Sequence, residues 1–121
     1  MEYLIDNGKA RFLENPVGVF DEEYAKRIDN LMALAEKYDI YIDFVFSPDT
    51  VQWSHFPDKH PYSKKNGGFM ENGSDIFTSR QGREIYKNRI KYIVDRWGMS
   101  PNIFVWELFN EMNWWGGDNL F

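Results

Sequence analysis

The chain has 121 residues, enough for one domain with one core. A formal net charge of −5 gives it no general attraction for nucleic acid or anionic membranes. The lack of cysteine excludes disulfides and thiolate metal sites, and no apolar run approaches the roughly 20 residues of a membrane span.

Residues 1–19 show no clear period. Gly8, Asn15-Pro16 and Gly18 punctuate them, so this stretch reads as loop. It begins Met1-Glu2-Tyr3, acidic and polar, with no visible signal peptide. Asp21 is a plausible N-cap, followed by Glu22 and Glu23 in a first turn. Tyr24, Ile28, Leu31, Met32, Ala35 and Tyr38 then recur at helical spacing, which predicts an amphipathic helix ending near Asp39. Its polar face carries Lys26, Arg27, Asp29 and Asn30, read as solvated charge.

The run "IYIDFVF", Ile40 to Phe46, is β-branched and aromatic on both alternating faces, as suits a parallel strand covered on both sides. Asp43 is the polar exception. It would point into a core or barrel interior, in a hydrogen-bonded structural role rather than a catalytic one. From Ser47 to Phe77 runs a long irregular stretch with Trp53, His55, Phe56, His60 and Tyr62 among prolines and glycines. Loops this long are uncommon unless they bind something or are disordered, and the aromatics argue against disorder. Aromatic residues make up 18% of the chain, which fits either a Phe-rich core or a surface that stacks flat ligands.

Thr78 opens an expected capping box with Gln81, and Tyr86, Ile90, Ile93, Val94 and Trp97 form a second helical stripe. Gly98 suits the position just past the helix, and Pro101 stops it. "NIFVWELFN" follows as a second buried strand. Helices alternating with apolar strands indicate an α/β fold with a parallel sheet, in which ligands bind at the carboxyl ends of the strands. Asn110 and Glu111 fall at such an end. Trp106, Leu108 and Asn110 would share one face, and Glu107, Phe109 and Glu111 the other, with alternation relaxing at the last residue.

A carboxyl walled by Trp and Phe is poorly solvated. Desolvation raises its pKa, so that it can act as a general acid near neutral pH, as glycosidic cleavage requires. The Asn110 amide could hold a sugar hydroxyl, and Trp114 and Trp115 could stack on pyranose faces. A helical reading of "VWELFNEM" also stands. It would set Glu107 and Glu111 on one face, four apart, as in carboxylate metal sites. On a strand the two lie roughly 13 Å apart, whereas a retaining glycosidase needs about 5–5.5 Å between its carboxyls.

"SPNIFVWELFNE" resembles the fourth strand of the clan A glycoside hydrolases, and in particular the family 5 cellulase- and mannanase-type enzymes. "YKNRIKYIVDRWG" (Tyr86 to Gly98) is similar to that family's helix 3, and "YAKRIDNLMALAEKYDIYIDFVF" (Tyr24 to Phe46) to its helix 2 and strand 3. The resemblance implies a partial (β/α)8 TIM barrel, with residues 1–121 as a single segment from the helix 2 to strand 4 region. It implies Glu111 as acid/base, Asn110 beside it on the 2-hydroxyl, and retaining hydrolysis of a β-linked polysaccharide of cellulose or mannan type. Trp53, His55, Trp114 and Trp115 become candidates for substrate binding, although His55 as a solvated loop residue fits as well.

No cofactor and no metal are implied, nor a nucleic-acid or membrane partner. The family's nucleophile ends strand 7, and nothing here matches that strand. The segment alone is therefore expected to hydrolyse little, and its open sheet edges to invite self-association if it is truncated. A polymer substrate suggests an extracellular full-length enzyme. The rival reading is a carbohydrate-binding protein without catalysis.

Overall fold

The computed structural model describes residues 3–6, 9–47 and 60–109. In chain order these form β1 (Tyr3–Asp6), β2 (Lys9–Phe12), α1 (Glu22–Tyr38), β3 (Ile42–Val45), α2 (Asp75–Thr78), α3 (Arg80–Trp97) and β4 (Ile103–Glu107). β1 and β2 pair antiparallel, and β3 and β4 pair parallel. The α/β class with a parallel pair and intervening helices agrees with the sequence reading.

The first residues depart from the loop expected of them, because Tyr3–Asp6 and Lys9–Phe12 form a hairpin. Each strand is too short to show a period. The signal lay between them, where Asn7-Gly8 is the strongest short hairpin cue. Helix α1 begins as expected. The Asp21 carboxylate accepts from the Tyr24 N–H at 2.9 Å, and Asp39 ends the helix in the left-handed region at φ 55°. Tyr24, Ala25, Met32 and Ala35 are buried, but Leu31 and Tyr38, expected on the apolar stripe, are exposed.

Strand β3 starts at Ile42, so Ile40 and Tyr41 stand exposed outside it. Asp43 is also exposed, which corrects the expectation of a buried carboxylate. Among the described residues, helix covers one face of the β3–β4 pair. Phe44 lies on that face against Trp97 and Trp106, and Asp43 alternates to the other. A bulge sets Ile42 opposite Ile103 and Asp43 opposite Val105. Phe104 is therefore the extra residue, and it is 81% exposed.

The N-cap of α3 is Ser79 rather than Thr78, which ends the short helix α2. The Ser79 hydroxyl accepts from the Gly82 N–H at 2.9 Å. Gly98 stays right-handed at φ −64°, so it does not supply the left-handed turn expected of it. Asn102 fastens the next crossing. Its buried amide donates to the carbonyls of Ala35 and Ile40 and ties the end of α1 to the start of β4.

In the stretch expected to be irregular, residues 60–74 are turns and bends packed on the core, and α2 follows them. His60, Tyr62, Met70 and Ile76 are buried, and Ser63 bridges to Met70. Several aromatics of this stretch thus serve the core. Met70, Ile76 and Ile93 are at most 1% exposed, and burying each is worth about 1.5–3 kcal/mol.

Candidate active site

Parallel pairing brings the carboxyl ends of β3 and β4 to the same side. Val45 stands opposite Glu107, and the Phe46 N–H donates to the Glu107 carbonyl at 2.9 Å. Glu107 is therefore a strand residue, so the helical reading of "VWELFNEM" fails as far as Glu107, while Glu111, the other carboxylate of that reading, lies outside the described residues. Among the described residues no cluster of three or more His, Asp or Glu is placed to hold a metal ion.

Helix α3 reaches both strand ends. Its buried seam runs Gly82, Tyr86, Arg89, Ile93, Trp97; of the expected stripe Ile90 is half-buried against the core and Val94 is exposed, and a glycine and an arginine join the seam. The Tyr86 hydroxyl donates to the Leu108 carbonyl at 2.5 Å, and its ring stacks on Phe109 at 4.8 Å between centroids. Phe77 meets Phe109 edge-on at 4.4 Å. Phe109 thus joins Tyr86 on the helix side, as Trp106 does through Phe44. Strict alternation would have sent the two to opposite faces. β4 ends at Glu107, three residues before the Asn110 expected to end it, so alternation is already relaxed at Phe109.

Three residues along α3, the Arg89 Nε donates to the Phe46 carbonyl at 3.0 Å. Its guanidinium lies 3.9 Å from the Glu14 carboxylate, and both side chains are almost wholly buried. Glu14 also accepts from the Tyr62 hydroxyl and, at 2.5 Å, from the Gly18 N–H. A charge pair this deep holds only because its remaining lone pairs and protons are hydrogen-bonded. Burial pushes the pKa values of both Tyr62 and Tyr86 well above the usual phenol value. Both therefore remain O–H donors across the physiological range.

Each sequence-predicted site residue, namely Trp53, His55, Asn110, Glu111, Trp114 and Trp115, lies outside the described residues. In the chain they follow directly from the two strand ends, after Ser47 and after Phe109. The sequence reading missed the supports beneath those ends, Glu14, Tyr62, Arg89 and the hydroxyl of Tyr86. The available signal was spacing, since residues 82, 86, 89, 93 and 97 keep a helical period once a charged residue is admitted to it.

Comparison with known proteins gives a consistent set of relatives. The chain is 32% identical to mannan endo-1,4-β-mannosidase 5 of Solanum lycopersicum over 127 residues, covering 90% of this chain and 28% of that protein. It is 28% identical to mannan endo-1,4-β-mannosidase 3 of Oryza sativa subsp. japonica, covering 90% of this chain and 25% of that protein. Against mannan endo-1,4-β-mannosidase A of Aspergillus aculeatus it is 31% identical over 93 residues, 77% of this chain and 23% of the other. The resemblance to mannanase-type glycoside hydrolases thus holds over most of this chain. The chain spans between 25% and 30% of the length of the plant relatives it matches. No family model and no solved structure matches it.

Proposed function

We propose that this chain is the helix 2 to strand 4 segment of a family 5-type (β/α)8 glycoside hydrolase that cleaves β-mannan with retention. The observation that carries the reading is the parallel β3–β4 pair, which ends at Glu107, three residues before Asn110-Glu111. A site just past the carboxyl ends of parallel strands suits this fold class. The mannanase relatives supply the substrate.

In the proposed reaction a glutamate from outside this segment attacks the anomeric carbon. Glu111 meanwhile gives its proton to the departing glycosidic oxygen, so one sugar leaves as an alcohol and the other becomes a glycosyl ester. The now ionised Glu111 takes a proton from water, the resulting hydroxide displaces the ester, and both carboxyl groups return to their starting states. Asn110 holds the 2-hydroxyl, an interaction that strengthens in the transition state. Trp53, His55, Trp114 and Trp115 line the sugar path.

The test is Glu111→Gln in the full-length protein, assayed on β-mannan and on cellulose. Hydrolysis of β-mannan should fall by about 10²–10⁴-fold, and β-mannan should be the preferred polymer in the unmodified protein. Retention of more than half the activity on β-mannan would rule out Glu111 as the acid/base.

A further inference from the structure

We infer that Tyr86 is a positioning residue for Glu111, acting through the Leu108 carbonyl and the Phe109 ring that lead into the Asn110-Glu111 pair. The inference rests on the reading of Glu111 as acid/base. The β3–β4 ladder ends where the Phe46 N–H meets the Glu107 carbonyl. Leu108 is already 58% exposed. The backbone leaving the sheet is held from the side, by α3. Tyr86 is 8% exposed and grips two consecutive residues, one by a hydrogen bond of 2.5 Å and the next by stacking at 4.8 Å with the rings 24° apart. Phe77 closes on both rings, meeting Tyr86 at 6.4 Å and Phe109 at 4.4 Å, each nearly perpendicular.

A phenylalanine would fill the same space at position 86. The hydroxyl instead fixes the orientation of one peptide plane, that of Leu108, three residues before Glu111. A general acid must come within hydrogen-bond reach of the oxygen it protonates, about 2.6–3.2 Å. Rotation of the Leu108 peptide would swing everything after it. Arg89, three residues further along the same helix, holds the Phe46 carbonyl in the matching way. One rigid helix thereby sets both strand ends.

The experiment compares Tyr86→Phe with the unmodified full-length protein and with Glu111→Gln, on two substrates. One is β-mannan, whose leaving group needs a proton. The other is a 2,4-dinitrophenyl β-mannobioside, whose leaving group departs without one. For Tyr86→Phe, kcat/KM on mannan should fall about 10- to 100-fold, mainly through kcat. On the dinitrophenyl substrate kcat/KM should stay within about threefold. The alkaline limb of the kcat/KM profile should move to lower pH, as a less tightly seated carboxyl is better solvated.

Equal losses on both substrates, or no loss on either, would overturn the inference while leaving Glu111 in its role. If Glu111→Gln itself leaves mannan hydrolysis intact, the acid/base reading fails and this inference fails with it. Should Tyr86→Phe not fold, Phe109→Leu loosens the same grip from the other side. It must then show the same loss confined to mannan.

Discussion

Arg89 shows what a single residue does here. It sits on the buried seam of α3, bonded to the Phe46 carbonyl and facing Glu14. Removing it leaves a carboxylate buried without its counter-charge. Arg89→Ala should therefore cost about 3–5 kcal/mol, read from urea denaturation. Replacing Glu14 and Arg89 together by apolar residues of similar size should cost much less, because no lone charge remains. Tyr62 donates its hydroxyl to the same carboxylate, and burial raises its pKa. The sign follows from that direction. Stability is full below the ordinary phenol value of 10.0. It is lost as pH rises from there through the raised folded value, because the unfolded chain loses its proton first. Thermal melts across pH 8–11 should show a steeper alkaline fall in the unmodified protein than in Tyr62→Phe. None of these partnerships was legible in the sequence. An arginine within a helical stripe breaks the apolar pattern, and a lone Glu14 after a short strand looks like surface charge.

At the scale of elements, helix starts were legible where a side chain must satisfy orphan N–H groups. Asp21 caps α1 as its position predicted, and Asp21→Ala should lower stability by about 1 kcal/mol in thermal or urea unfolding. The start of α3 was off by one residue, because Thr78 and Ser79 are equally good caps in sequence and only the short helix α2 decides between them. That junction also explains Gly82. A Cβ there would stand 2.4 Å from the Asp75 carbonyl oxygen and 2.7 Å from the Ile76 backbone. Gly82→Ala should therefore destabilise by about 1–3 kcal/mol, although alanine is the better helix former. Between helices, Asp29 of α1 accepts from Arg96 and from the Trp97 indole of α3, where the sequence suggested only solvated charge. The hydrogen bond from Arg96 is the largest cause that holds the Asp29 carboxyl below its usual value. The stabilisation it brings is present above the ordinary carboxylate value of 3.8 and is lost as pH falls through the depressed one. Asp29→Asn should flatten the acid limb of stability against pH. Because the Asp29 side chain is 41% exposed, the loss at neutral pH should stay near 1 kcal/mol.

Across the whole molecule, the alternation of helix with strand was legible because the helices keep an apolar period near 3.6 over long runs, whereas the strands are short β-branched and aromatic runs between turn signals. The parallel pairing of β3 with β4 followed from it. Less legible was which strand face lies open. Periodicity marks apolar positions, yet Asp43, Phe104 and Val105 are exposed on the two strands, and a sequence pattern cannot say how many neighbours a sheet has. The candidate site was legible only as positions, Asn110 and Glu111 after a strand. The frame beneath it, drawn from α3 and from residues far apart in sequence, came from the fold. The proposed role of Glu111, delivering and retrieving the proton in retaining cleavage of β-mannan, is tested by azide rescue of Glu111→Ala in the full-length protein, on the dinitrophenyl mannobioside. With no base left to activate water, azide should speed turnover and yield a β-glycosyl azide. No rescue, or an α-glycosyl azide, would rule out Glu111 as the acid/base.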